Sequence, residues 1–272
     1  MTGMQLRLLQ EFALEWQGTR IELPSGMQRL LALLALKGPA HRCLVAGTLW
    51  PEVPEVQALG SLRTSIWRIN RKLPGCIVTD GVGLAARNMR IDSLEQEVVT
   101  QRLLREQVAD PLWITEHVEI LCRGELLPGW YDEWVLPERE RLSQLRLHAL
   151  EHAAVALSRS GHFAEAIQLA LEAVRAEPLR ETANAALITV YLAEGNVSDA
   201  IYHYRVFRRR LRRELGVDPS PSLRALLPRT AVALSAPPDR PLTPEDGRPR
   251  AGALAGPRWR EAPVPSPGFR PF

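Results

Sequence analysis

Two stretches of this chain carry residue types at spacings that could do chemistry. The first is His148-Ala149-Leu150-Glu151-His152, two histidines one helical turn apart with an adjacent glutamate, the arrangement of an inverted zinc-peptidase helix. A hydrolytic zinc centre also needs a further ligand and a cleft, and no third ligand motif accompanies this segment. No metal site and no cofactor are expected. The second is Arg63, Thr64, Trp67, Arg68, Arg71 and Lys72, six side chains that share one face if residues 56–73 form a helix. Guanidinium groups suit bidentate contact with guanine or phosphate, and an exposed helix fits the DNA major groove. No Asp or Glu occurs from Val56 to Thr79, so nothing neutralises that face locally.

The elements that would position these six residues are legible nearby. Leu59, Leu62, Ile66, Ile69 and Leu73 recur at steps of three and four, which predicts a helix with one buried face and turns the basic face outward. Before it, Ser25 caps a leucine-rich helix that Gly38-Pro39 stops, and a short helix runs from Arg42 to Trp50 before Pro51. Residues Gln5 to Leu23, with a turn at Gln17-Gly18-Thr19, read as a hairpin or three-stranded sheet. After Pro74-Gly75, Ile77-Val78-Thr79, Asp80-Gly81-Val82-Gly83 and Leu84-Ala85-Ala86 read as strand, turn, strand. Sheet, three helices and a terminal hairpin make a winged helix over residues 1–92. Arg63, Thr64, Trp67 and Arg68 are placed to reach bases, and Arg71 and Lys72 to hold phosphate. A solvated basic face is the competing reading, and Trp67 has an equal claim to pack on the protein's own sheet or domain interface.

From Asp92 the pattern is helical almost to Leu227, broken at Asp110-Pro111 and at Gly124 to Gly129. A shift of 34 residues superposes Gly161 on Gly195, Ala166 on Ala200, Ile167 on Ile201 and Leu157 on Tyr191. That is the tetratricopeptide period, so residues 93–228 are expected to form an all-α, tetratricopeptide-like repeat domain. Trp130, Tyr131 and Trp134 read as core anchors or as an aromatic docking surface. Arg205, Arg208, Arg209, Arg210, Arg212 and Arg213 read as a solvated helix face, with contact to nucleic acid or an acidic partner as the alternative. Residues 229–272 hold ten of the 22 prolines, lack periodicity and are expected to be disordered. The fold class is therefore mainly α, with small β-sheets confined to the first part.

Composition narrows the function classes. The net charge of +3 and 46% hydrophobic content suit a folded protein of about two domains. Of 34 basic residues only Lys37 and Lys72 are lysines, which a GC-rich genome accounts for. Three cysteines, Cys43, Cys76 and Cys122, form neither a disulfide framework nor a metal spacing, and no signal peptide or membrane-length apolar run is read. A cytoplasmic location is expected, with no membrane partner. No phosphate loop or activated nucleophile is evident, so an enzyme is not expected. The alternative to a DNA-binding regulator is a non-DNA-binding adaptor that uses its helical repeats for a protein partner.

Three segments, Gln28 to Leu36, Leu49-Trp50-Pro51 and Ser61 to Leu73, resemble the DNA-binding half of the Streptomyces antibiotic regulatory protein family, and their order matches. Gly124 to Val135, with its Leu-Leu-Pro-Gly-Trp-Tyr run, and Glu214 to Pro221 are similar to the start and end of that family's bacterial transcriptional activation domain. Trp67 and Asn70 stand where a small polar and a basic residue are usual. The resemblance covers residues 5–227. It implies an OmpR-like winged helix that activates transcription, binds repeated elements in double-stranded DNA as a homodimer, and contacts RNA polymerase.

Overall fold

The computed structural model describes residues 3–80, 83–106 and 110–227, all inside one compact unit of residues 1–235. The wing turn at 81–82 and the proline-rich segment 229–272 lie outside the described residues. The chain opens with β1 (Met4–Arg7), β2 (Ala13–Trp16) and β3 (Thr19–Arg20), the three-stranded sheet expected from its β-favouring residues. Three helices follow: α1 (Ser25–Lys37), α2 (Arg42–Leu49) and α3 (Glu55–Lys72). The short β4 (Ala40–His41) precedes α2 and pairs with β6 (Gly83–Ala86), which pairs in turn with β5 (Ile77–Asp80). The wing is thus a three-stranded sheet in the order β4-β6-β5. A further strand, β7 (Met89–Ile91), lies parallel to β1 and closes the first sheet as β3-β2-β1-β7. At two and three residues, β4 and β7 are too short to leave a periodic signal.

The remaining elements are helices: α4 (Asp92–Arg105), α5 (Pro111–Leu121), α6 (Leu136–Arg159), α7 (Phe163–Ala176), α8 (Glu181–Glu194), α9 (Val197–Leu215) and α10 (Pro221–Ala225). The repeat read from sequence is present as two helix pairs. α7 and α9 begin at Phe163 and Val197, one period apart. Gly161 and Gly195 precede them with φ of +80° and +92°, a region glycine enters without steric cost. Ala166 and Ala200 are fully buried, small enough to let the paired helices pack closely.

Two large cores organise these helices: the chain leaves the first between Ile91 and Val99 and returns to it from Leu126 to Leu142. Leu126, Leu127, Trp134, Val135 and Leu142 share the core of β1, α1 and α3, together with Leu6, Leu30 and Leu62. The second core takes in α4 and α5 from Val99 to Leu121, joins α6 at Leu147 and runs through α7 and α8. The 24-residue α6 therefore belongs to both cores. Its hold on the first is reinforced by a strap that pairs with the chain beyond β1. Gln10 N donates to Glu125 O and Leu127 N donates to Leu8 O, each at 2.8 Å, beside a bridge between Leu9 and Leu126. Leu127 adopts a positive φ of +43°, uncommon for a side chain of its size. Full burial of Leu127, its bond to Leu8, and the Arg139 guanidinium, which donates to the carbonyls of Leu126, Leu127 and Trp130, hold it there.

Candidate nucleic-acid interface

The amphipathic pattern of α3 settles its orientation. Ala58, Leu62, Ile69 and the following Leu73 are buried, while Leu59 and Ile66 are partly buried at the margins. Arg63, Thr64, Trp67, Arg68, Arg71 and Lys72 are all exposed, as their spacing demands. The helix's one acidic residue is Glu55, in its first turn. The Thr64 hydroxyl donates to Gly60 O at 3.0 Å, and Lys72 Nζ donates to Glu22 O at 3.2 Å, which draws Lys72 toward the segment before α1. The Arg71 guanidinium lies 5.3 Å from the centroid of the Trp67 ring, a cation–π contact. Trp67 does not pack into the sheet or the domain interface: it is 59% exposed.

Two residues outside the six read as contacts from the sequence help build this face. Asn70 points at the wing, where its Nδ2 donates to Ile77 O at 2.7 Å and its Oδ1 accepts from Ile77 N at 2.9 Å. This reciprocal pair ties the last turn of α3 to the first residue of β5. Arg42, the first residue of α2, donates to the Thr79 hydroxyl of β5 at 2.9 Å and lines a groove with Arg63, Trp67, Asn70 and Arg71. Nothing in the local sequence separates Arg42 from any other arginine, because the groove forms only when α2, α3 and the wing come together.

The other candidates resolve differently. Within α6, Glu151 accepts from Arg180 Nε at 2.7 Å and from the Thr182 hydroxyl at 2.8 Å, joining α6 to the start of α8. The same guanidinium lies 3.3 Å from both ring nitrogens of His148 and sets a fixed positive charge where a metal cation would have to sit. Among the described residues no group of three or more His, Cys, Asp or Glu could hold a metal ion. The aromatic trio divides. Trp134 is buried, Trp130 packs on the same core and stacks on Phe12 at 5.9 Å, and Tyr131 is exposed. In α9, Arg208 and Arg212 bind Asp218 at 2.9 and 2.6 Å, and Arg213 binds Glu214 at 2.7 Å, so acidic residues at the end of the helix partly balance its arginines. Arg208 and Arg212 hold the Asp218 carboxyl down at about 2. The three cysteines are free thiols. No helix among the described residues is long and apolar enough to cross a membrane.

Comparison with known proteins covers most of the chain. Residues 116–229 match the family described as "Bacterial transcriptional activator domain". The chain is 31% identical over 229 residues to the regulatory protein AfsR of Streptomyces coelicolor, covering 79% of this chain and 23% of that one. It is 30% identical to AfsR of Streptomyces griseus, over 83% and 25% of the two chains. The chain is similar to the Streptomyces antibiotic regulatory protein family over these matched residues. A further relative is the transcriptional regulatory protein EmbR of Mycobacterium tuberculosis, 28% identical over 75% of this chain and 58% of that protein. The chain thus spans about a quarter of the AfsR relatives it matches. The solved structure of Mycobacterium tuberculosis EmbR in complex with low affinity phosphopeptide superposes with a TM-score of 0.63 at 22% identity, over 85% of this chain and 68% of that one. This shared fold is a winged helix followed by tetratricopeptide-like helices.

Proposed function

We propose that this chain is a sequence-specific DNA-binding transcriptional regulator, not an enzyme, and that it activates transcription in the cytoplasm. The observation that carries the reading is the outward face of α3, where six exposed polar, basic and aromatic side chains stand beside the wing on a helix whose one acidic residue, Glu55, lies in its first turn. Arg63 and Arg68 make no hydrogen bond or ion pair among the described residues, so their guanidinium forks are open for guanine edges. Arg71 and Lys72, near the helix end, hold phosphate. The relatives, a regulatory protein and a transcriptional regulatory protein by name, support the same reading.

One winged helix meets only a short half-site, and discrimination against a genome of competitors normally needs two copies at fixed spacing. The protein therefore binds repeated promoter elements as a homodimer. Its stacked helices supply extended surfaces for self-association and for RNA polymerase. The test is selection of bound fragments from random DNA, followed by binding of variants to the selected site. Arg63→Ala or Arg68→Ala is expected to cost about 1–3 kcal/mol on that site. Arg71→Ala is expected to weaken all sequences alike and to lower the salt slope by about one. Unchanged affinity in folded variants at both Arg63 and Arg68 would remove α3 as the reading element.

A further inference from the structure

Trp67 presents the largest apolar surface on the outward face of α3. Arg63, Trp67 and Arg71 follow one another at four-residue steps and so form a single row along the helix. Grooves open on both sides of the indole, one lined by Arg42, Arg63 and Asn70, the other by Pro24, Met27 and Arg68. Its recorded ring partner is a cation, Arg71 at 5.3 Å, which leaves most of the ring surface open to solvent. Apolar surface of this size is costly to expose and useful when covered by a ligand.

We propose that Trp67 is a specificity-determining residue that reads the C5-methyl group of thymine in the major groove. The proposal rests on the reading of α3 as the DNA-reading helix. An indole has one N–H donor and no acceptor, so it cannot accept from adenine N6 or cytosine N4. The thymine methyl is the apolar group that base pairs present in the major groove. The neighbouring side chain best suited to adenine, the Asn70 amide, is committed on both its atoms to Ile77. The middle of the row is therefore left to an apolar reader between two guanidinium groups. Arg71, lying over the ring, restrains the indole and is itself held in place. One helical turn advances about 5.4 Å and one base pair about 3.4 Å. The thymine accordingly lies one to two base pairs from the pair that Arg63 meets.

The experiment uses the full chain and a site selected from random DNA, resynthesised with deoxyuridine in place of each thymine in turn, a change that removes only the methyl group. Wild-type protein is expected to lose about fourfold in affinity at one or two positions, the factor that corresponds to burying roughly one methylene. Trp67→Ala is expected to bind more weakly overall and to be indifferent to deoxyuridine at those positions. Trp67→Phe, which keeps a smaller apolar face, is expected to retain part of the sensitivity. Melting temperatures of the variants check that folding is intact. If the protein selects a site but every deoxyuridine version binds as tightly as its parent, or if methyl deletion costs Trp67→Ala as much as wild type, Trp67 does not read thymine. An apolar partner protein is then the better occupant of this face. If selection enriches no sequence, the DNA-reading role of α3 fails together with this assignment.

Discussion

The Asp92 carboxylate accepts the backbone N–H of Leu8 at 2.7 Å, from the first residue of α4 to the chain just beyond β1. Its other oxygen accepts from Leu9 N at 3.1 Å, and Ser93 N adds a bond at 2.7 Å. Burial pushes the Asp92 carboxyl above its ordinary range, and these backbone donors with the Arg123 charge offset only part of that. A side chain that reads as a simple helix start in the sequence thus closes the seam where winged helix and helical repeats meet.

Asp92→Ala should therefore destabilise the protein by about 2–4 kcal/mol, because three buried N–H groups, those of Leu8, Leu9 and Ser93, lose their acceptor. Urea unfolding monitored by circular dichroism measures this directly. A loss below about 0.5 kcal/mol would mean that water replaces the carboxylate at no cost and that the seam is held by the Leu127 strap alone.

Acid should loosen the same junction through Glu138. This residue opens α6 and pairs with Lys37 of α1 at 2.7 Å and with Arg141 at 2.9 Å. Burial alone would raise its carboxyl. The Lys37 ammonium and Arg141 guanidinium outweigh burial and hold it below the ordinary 4.5. The folded-state value is the lower one, so the stabilising contribution is complete above pH 4.5 and is lost as pH falls through the folded value. Lys37 is well exposed, which limits the pair to about 0.5–1 kcal/mol at neutral pH. The stability difference between wild type and Glu138→Gln should shrink toward zero as pH drops below 4.5. A difference that stays constant with pH would trace to packing instead of charge.

The Asn70 clamp on Ile77 sets the angle between α3 and the wing. Asn70→Ala removes both bonds and leaves the Ile77 N–H and carbonyl without that partner, so a loss of about 1–3 kcal/mol in stability is expected. Its signature in DNA binding should differ from that of Arg63→Ala: affinity falls for selected and random sequences in similar proportion, with an unchanged salt slope, because no ionic contact is removed. A change in sequence preference would instead make Asn70 a base reader.

How legible these features are in the sequence depends on how local their causes are. The stripe from Leu59 to Leu73 fixes which face of α3 is buried, and the repeat that aligns Gly161 with Gly195 fixes the helix pairs, because each is a periodicity within a short window. The interlocking of the two halves is not periodic. Leu126 and Leu127 read as part of a loop, since their partners, Leu8 and Leu9, lie more than a hundred residues earlier and are met only through a few backbone hydrogen bonds. β4 and β7 escape because two and three residues are too few to show a period. In the candidate interface, exposure of the six residues follows from helix geometry. The turning of Asn70 toward the wing and the recruitment of Arg42 depend on tertiary contacts that no local pattern encodes.

A domain border at residue 92 follows the change from mixed to helical patterning, but the buried core leads to a different physical unit. A fragment of residues 1–92 would lose Leu126, Leu127, Trp134, Val135 and Leu142 from the core that contains Leu6, Leu30 and Leu62. Fully burying side chains of this size is worth about 1.5–3 kcal/mol each, so the missing contribution is on the order of 10 kcal/mol. That is comparable to the whole stability of an ordinary domain, about 5–15 kcal/mol. The fragment would also expose the N–H of Gln10 and the carbonyl of Leu8, which the strap now pairs. Residues 1–92 alone should therefore melt broadly and bind a hydrophobic dye. Residues 1–227 should melt in one cooperative transition seen equally by near-ultraviolet and far-ultraviolet circular dichroism. Leu142→Ala in the longer chain provides the milder test: a cost of about 2–5 kcal/mol is expected, felt by the winged helix although the substitution lies in α6. A 1–92 fragment that unfolds cooperatively at the temperature of the longer chain would show that the shared core contributes nothing to the winged helix and that the two halves are energetically separate.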